Sequence, residues 1–379
     1  MNEGLENFSI LIPDSDDQKV LAYQVVNCLS FYKAIKIYIM SSNKNSHLRY
    51  SRRIKHFSYY PNGSTATWIS NINKEVERHK IDLIMPIFDG GIARIIKNKS
   101  LLKDACKVCV LPSNENYFTA IDKGLLYRFL KINNLPCPES EITKPNELPN
   151  FNNLKFPIIA KPVNGYSGGN QIKILKNPEE VENYNKLIKY NCNVIYQNYV
   201  NGYDLCCNVL CDKGEIKAYS VQSTEKIEHQ DLEPQTGFKF VDNTQLLEII
   251  KKVMKGLEWS GVANIDCRYD KDDNSFKIIE INSRYWMNID ASSMAQVNFP
   301  YLHCLLTLNK LFDYKKAKEI SYVNLRGLAR LVSNKPATLL KVKYILHSTP
   351  LKFVFKDPIP MLFIYAWRTK KLLKAKFKN

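Results

Sequence analysis

No stretch of the 379-residue sequence is apolar for long enough to cross a bilayer. The longest apolar runs, such as PIPMLFIYAW at 358–367, are about half the roughly twenty residues a spanning helix needs. The first residues, MNEGLENFSILIPDSDD, lack a basic segment followed by a long apolar stretch, so no signal peptide is expected. Ten cysteines without a secretion signal are expected to be the reduced thiols of a cytoplasmic protein. Cys106 and Cys109 form a C-x-x-C, but neither a second pair nor a histidine cluster accompanies it. Both are therefore read as small apolar residues packed beside Val108 and Val110, not as zinc ligands. Acids are also scarce: 37 Asp and Glu stand against 54 Lys and Arg, a formal net charge of +17. The excess is concentrated near the C-terminus, where Val332 to Asn379 holds eleven Lys or Arg and the single acid Asp357. Such an excess suits nucleic acid or an anionic surface. No RNA-binding signature, zinc finger or recognisable helix-turn-helix accompanies it, so no specific nucleic-acid partner is expected. In PMLFIYAWRTKKLLKAKFK aromatics and leucines stand beside lysines. That mixture fits a helix in peripheral contact with an anionic membrane, and equally a docked helix with a solvated basic face.

What is present is the composition of a soluble globular protein, 45% hydrophobic and 24% charged, with length enough for two or three domains. The first section alternates strand and helix signals. FSILIPD, AIKIYIMSS and IDLIMPIFDGG read as strands, and QKVLAYQVVNCLSFY and TWISNINKEVERHK as helices, a rhythm that argues for a parallel α/β domain. Asp89 and Gly90 fall at the carboxyl end of the last of these strands, where open α/β sheets receive ligands, although Asp89 is first read as a helix N-cap. The helical YFTAIDKGLLYRFLKINN is ended by the prolines of LPCPES, which mark the approach to a second domain.

That domain opens with FPIIAKPVNGYSGGNQIKIL, a buried strand that ends on Lys161, a glycine-rich loop and a returning strand. Glycines without a Cβ let backbone N–H groups approach a phosphate. GYSGG also matches G-x-S-x-G literally, but a nucleophile elbow turns from strand into helix, whereas Ile172 and Ile174 here continue as strand. No G-K-[ST] follows, so the loop is not a Walker A sequence. Three strands are read in NVIYQNYVNGYDLCCNVLCDKGEIKAYSVQST, then an amphipathic helix in QLLEIIKKVMKGL.

The next segment, GVANIDCRYDKDDNSFKIIEINSRYW, reads as a hairpin with KDDNS as its turn. Successive side chains of a strand point to opposite faces, so Glu280, Asn282 and Arg284 share one face and Ile279 and Ile281 the other. With the turn centred near Asp273, Asp266 falls directly across from Glu280. Like charges so placed repel. A divalent cation reverses the sign, and carboxylates plus an amide carbonyl are the hard oxygen ligands that suit Mg²⁺. The bland alternative is a solvent-facing hairpin with ordinary surface charge.

Taken in this order and spacing, the segments from about Tyr117 to Leu311 resemble the ATP-grasp superfamily. The likeness is to its carboxylate–amine ligase-like members, which share the ATP-binding fold of carbamoyl phosphate synthase. The resemblance implies α/β and α+β architecture: an N-terminal parallel α/β domain (1–115), a two-subdomain ATP-grasp domain with antiparallel sheets (116–320) and a basic C-terminal extension (321–379). It further implies ATP with Mg²⁺ (or Mn²⁺) as cofactors. Lys161 in IIAKP and Lys123 in IDKGLL match the nucleotide-binding lysines. Gly165, Ser167, Gly168 and Gly169 match the phosphate loop. Gln197, Asn198, Tyr199 and Val200 match the adenine hinge, and Asp204 the ribose-binding acid. Asp266, Glu280 and Asn282 match the metal ligands, and Arg284 the arginine that steadies the reacting substrate, with Lys161 the second catalytic position. Gln171 and Asp266 depart from the commoner glycine and glutamate; the shorter Asp266 would need a water to reach the metal. The implied reaction joins a small-molecule carboxylate to an amine through an acyl phosphate. A kinase on the same fold and a non-catalytic nucleotide- or nucleic-acid-binding protein are the alternatives.

Overall fold

The computed structural model describes residues 7–13, 19–164, 172–187, 192–224 and 236–376. They form two compact units, one from 1–111 together with 284–379 and the other from 112–283.

In the first unit β1 (Ser9–Pro13), β2 (Lys36–Ser41), β3 (Ile54–Tyr59) and β4 (Leu83–Ile84) make a parallel sheet in the order β3-β2-β1-β4. Helix α1 (Lys19–Leu29) crosses over between β1 and β2 and α2 (Thr65–His79) between β3 and β4, a short 3-10 turn at His47–Tyr50 lies between β2 and β3, and α3 (Asp89–Lys97) follows β4. Ser64 caps α2 by accepting from the Thr67 N–H at 3.1 Å, and Trp68, Ile69, Ile72 and Val76 turn its apolar face onto Leu11, Tyr38 and Met40 of the sheet. The alternation of strand and helix read from the sequence is present, with three refinements. IKHFSY is an edge strand that its charged and aromatic residues disguise. IDLIMPIFDGG yields only the two-residue β4 before α3 begins. Asp89 is the first residue of α3, whose cap position is Phe88, so its carboxylate is left for another partner. Of the C-x-x-C pair Cys109 is buried, whereas Cys106 is exposed and donates to Asp104, so only one thiol is part of the core.

In the second unit α4 (Asn114–Ile121) and α5 (Lys123–Ile132) divide at Asp122, whose carboxylate caps α5 by accepting from the Gly124 and Leu125 N–H groups, each at 2.9 Å. An antiparallel sheet follows, in the order β5-β8-β6-β7, from β5 (Ser140–Thr143), β6 (Ile158–Pro162), β7 (Lys173–Leu175) and β8 (Val194–Asn198), with α6 (Pro178–Leu187) packed on it through Val181 and Tyr184. A larger antiparallel run has the order β13-β12-β9-β10-β11, from β9 (Gly202–Asp212), β10 (Glu215–Ser223), β11 (Gly237–Val241), β12 (Gly261–Asp270) and β13 (Ser275–Asn282). The β9–β10 turn uses Lys213 and Gly214, at φ 48° and 83°, the left-handed pair that a tight hairpin demands. Leu205, Cys207 and Val209 of β9 and Ala263, Ile265 and Cys267 of β12 face α7 (Thr244–Gly256), which contributes Leu246, Ile250, Val253 and Met254. That pairing buries every second residue of both strands and leaves the alternate set, Asp204, Cys206, Asn208, Asn264, Asp266 and Arg268, on the opposite face.

The chain then returns to the first unit with α8 (Ile289–Met294), α9 (Phe299–Thr307), α10 (Leu325–Asn334), α11 (Val342–Ser348), α12 (Leu351–Lys356) and α13 (Pro358–Lys376). Asp357, fully buried, accepts from the Ser51 hydroxyl at 2.5 Å and from the Arg52 N–H at 3.3 Å, while Met361 and Ile364 are buried in α13. The start of the basic tail is thus a docked helix.

Candidate nucleotide and metal site

The β12–β13 hairpin has the register the sequence implies: Asp266 pairs with Glu280 and Asn264 with Asn282, with a bulge after Asp266. On its other side β12 sets Asp266 against Cys206, Asn264 against Asn208 and Arg268 against Asp204. Antiparallel pairing therefore lines up polar residues from three strands on one face. The amide nitrogen of Asn282 donates to Asn264 Oδ1 (3.2 Å), Asp266 Oδ2 (3.3 Å) and Glu280 Oε1 (3.5 Å), and Asn264 in turn donates to Asn208 (2.8 Å). The Cys206 thiol donates to Asp266 Oδ1 at 3.0 Å, and burial together with that carboxylate holds it well above its ordinary pKa, as a thiol.

Two lysines converge on this face. Lys123, at the start of α5, is tied to the end of β6 by its N–H to the Val163 carbonyl (3.1 Å), and its ammonium lies 3.5 Å from Glu280. Lys161, only 3% exposed, feels Glu280 and Asp266 as neighbouring charges. Burial pushes its ammonium down to about 8, against the pull of Glu280 and with the push of Lys123. Burial raises the Asp266 carboxyl, and the facing Glu280 raises it further. For Glu280 burial acts upward too, but Lys123 and Lys161 outweigh it and the carboxyl ends below its ordinary value. One carboxylate is neutralised by lysines and its neighbour is left under-compensated. That is the charge deficit a hard divalent cation fits, and the two carboxylates and the Asn282 carbonyl are oxygen donors of the kind that could hold one.

The hinge positions are held from within the unit. Gln197 donates to the Ser140 hydroxyl at 3.1 Å, the Asn198 N–H to the Glu139 carbonyl at 2.9 Å and the Tyr199 N–H to the Pro157 carbonyl at 3.2 Å. Arg268, which no motif singles out, organises the rest. It donates to the carbonyls of Val200 (2.7 Å) and Gly202 (3.1 Å), to the Tyr199 hydroxyl (3.2 Å) and to Asp204 (2.7 Å). Gly202 permits this crossing, since a Cβ there would sit 1.6 Å from the Tyr269 carbonyl oxygen. Asp204, placed in the sequence as a ribose acid, thus has a guanidinium as its partner here. The available signal for Arg268 was its position, two residues past Asp266 on the same face.

Gly165, Ser167, Gly168 and Gly169, with Gln171, lie outside the described residues. Arg284 begins the return to the first unit, where its Nε donates to Asp89 Oδ2 at 2.8 Å and its guanidinium to the Tyr285 carbonyl at 3.0 Å. The carboxylate freed from helix capping at α3 is therefore an arginine partner.

Among known proteins, residues 192–328 match the family described as "ATP-grasp in the biosynthetic pathway with Ter operon". A carbamoyl-phosphate synthase of Methanobrevibacter smithii is 22% identical over 214 residues, 54% of this chain and 57% of that protein. A D-aspartate ligase of Enterococcus faecium is 24% identical over 235 residues, 55% of this chain and 54% of that protein. The chain thus spans about half the length of the curated relatives it matches. The crystal structure of N5-carboxyaminoimidazole synthetase from Staphylococcus aureus has a TM-score of 0.67 at 14% identity, covering 89% of this chain and 88% of that one. Its complex with ADP has a TM-score of 0.65 at 16% identity, with coverage of 86% and 84%.

Proposed function

We propose that the chain is an ATP- and Mg²⁺-dependent ligase that activates a small carboxylate as an acyl phosphate and passes it to an amine, releasing ADP and phosphate. The observation that carries this reading is the pairing of Asp266 with Glu280 at one register position, with Lys123 and Lys161 brought onto the same face. The two relatives named as carbamoyl-phosphate synthase and D-aspartate ligase support the class of reaction. Asp266, Glu280 and, after rotation of its amide, Asn282 would hold Mg²⁺, which when bound neutralises triphosphate charge. Lys161 and Lys123 would bind phosphate oxygens, the hinge from Gln197 to Val200 would seat the base, and Asp204 the ribose. Gly165, Ser167, Gly168 and Gly169 would bind the phosphates through their backbone N–H groups.

In the first step a carboxylate oxygen of the substrate attacks the γ-phosphorus and the bond to ADP breaks. In the second the amine nitrogen attacks the carbonyl carbon, inorganic phosphate leaves and the amine loses a proton. Phosphoryl transfer depends on positioning and charge neutralisation, so a site of lysines, acids and an arginine suffices without a nucleophilic side chain. Arg284 would exchange Asp89 for the transferring phosphate, to which it offers a bidentate fork that lysine lacks.

The test supplies ATP, Mg²⁺ and hydroxylamine with pools of amino acids, uronic acids and other small carboxylic acids, and looks for hydroxamates by mass. Hydroxamate that disappears in Arg284→Ala is the expected result. A phosphate ester in its place makes the protein a kinase, and binding without turnover makes it a nucleotide-binding protein. A cytoplasmic location with peripheral contact to anionic lipid is part of the same proposal. No helix among the described residues is long and apolar enough to cross a membrane. Leu340, Val342, Phe355, Ile359 and Leu362 are nevertheless exposed in a lysine-rich stretch, which supports surface contact. Equal sedimentation with anionic and neutral vesicles would remove the membrane idea.

A further inference from the structure

A second cluster of ligating side chains lies in the first unit, and its assignment is independent of the ligase reading. His56, Glu75 and His79 each offer one ligand atom, and these three atoms lie within 4.8 Å of one another. Their origin is simple. Residues 56, 58 and 60 share one face at edge strand β3, and Glu75 and His79, four apart, share one face of α2.

Glu75 is fully buried, yet the helix carries it without a buried cationic partner. Instead Ser58 donates to its Oε2 at 2.5 Å and Tyr60 to its Oε1 at 2.7 Å, which fixes the carboxylate plane and leaves a lone pair on Oε2, the oxygen nearer His79. Arg78 reaches Oε1 only at 3.5 Å and is 62% exposed. Nε2 of His79 is buried without a hydrogen-bond partner and sits 3.6 Å from Glu75 Oε2. Its ring is held between Tyr38 and His56, with centroids 4.9 and 4.7 Å away. An orphaned imidazole nitrogen aimed at an oriented carboxylate is a costly arrangement unless something bridges them.

We propose that His56, Glu75 and His79 form a site for a borderline divalent transition metal ion, Zn²⁺ in the first instance, that staples edge strand β3 to α2. Two imidazoles and a carboxylate are a known zinc set, and ligands about 2.1 Å from a tetrahedral ion stand about 3.4 Å apart. The Glu75–His79 separation is already close to that value, and exposed His56 closes the set by rotating its side chain. The hydrogen bonds from Ser58 and Tyr60 orient the carboxylate as outer partners do in metal sites.

The full chain is stripped with chelator, reduced, held in excess Mg²⁺ and titrated with Zn²⁺ and with Co²⁺. Binding of a single equivalent is expected, with a Zn²⁺-dependent rise in melting temperature and a tetrahedral Co²⁺ visible spectrum free of thiolate charge transfer. His56→Ala, an exposed change that leaves the core intact, should lower affinity at least about 10-fold, and Ser58→Ala about 10-fold through the loosened carboxylate. Unchanged Zn²⁺ affinity in both variants, a thiolate signature in the Co²⁺ spectrum, or no binding to the parent chain overturns the site.

Discussion

The two ends of the β12–β13 hairpin carry similar numbers of acids and do opposite things with them. At the turn, Asp273, itself open to water, accepts from the Ser275 N–H (3.1 Å) and hydroxyl (2.6 Å) and pairs with Lys277, all within four residues. At the other end Asp266 and Glu280 face each other at one register position, beside buried Lys161, and their compensation comes from other elements of the fold. Acids satisfied locally are solubilising decoration. Acids that face each other and are compensated only by lysines from distant parts of the sequence are poised for a ligand. Burial and register, not composition, separate the two cases.

Four experiments press on that contrast. The largest effect is expected from Glu280→Gln, which removes the carboxylate that both lysines lower. Turnover with Mg²⁺-ATP should fall by about 10²–10³-fold while some nucleotide binding persists; normal ATP hydrolysis in the presence of true substrates would refute the metal assignment. Lys161→Met should weaken nucleotide binding by about 2 kcal/mol, roughly 30-fold, by calorimetric titration. The same variant should melt no lower than the parent at neutral pH, because the folded state holds the Lys161 proton less tightly than the unfolded chain does. That penalty is relieved only as pH climbs from about 8 toward the ordinary lysine range. Parental nucleotide affinity should fall over the same window, and a flat profile there would deny Lys161 its phosphate.

Asp266→Asn tests the under-compensated partner. Its folded-state carboxyl is raised, so the folded chain binds the proton more tightly, and metal-free stability should fall as pH rises from the ordinary aspartate range through the raised value. The variant should remove that slope and gain about 1 kcal/mol at neutral pH without metal, while losing the stabilisation the parent draws from Mg²⁺-nucleotide. A loss of stability without metal would mean that the hairpin needs the charge itself. The smallest effect belongs to Asp273→Asn, expected within about 0.5 kcal/mol of the parent in denaturant midpoint and without change in turnover, since its Lys277 pairing is solvent-screened. A large loss there would erase the distinction between the two ends.

What the sequence by itself determined was whatever depends on near neighbours. The bulge at Ile279, which turns Ile278 and not the expected Ile279 to the buried face beside Ile281, was not legible, but the period-two pattern on either side of KDDNS was enough to read a hairpin that brings Asp266 opposite Glu280. The parallel α/β rhythm of the first section and the helix over 244–256 were legible for the same reason. Edge strand β3 escaped because it is paired on one side only and half-exposed, so its residues carry little apolar signal. Tertiary structure alone decided the partners of the charged residues. Lys123 reaches Glu280, Arg268 gathers Tyr199, Val200, Gly202 and Asp204, and Arg284 finds Asp89 across 195 positions of chain. Along a sequence, every lysine and aspartate reads as potential solvent-facing charge. What makes one of them functional is the desolvation that a folded neighbourhood imposes and the counter-charge it supplies, and neither has a local period to read.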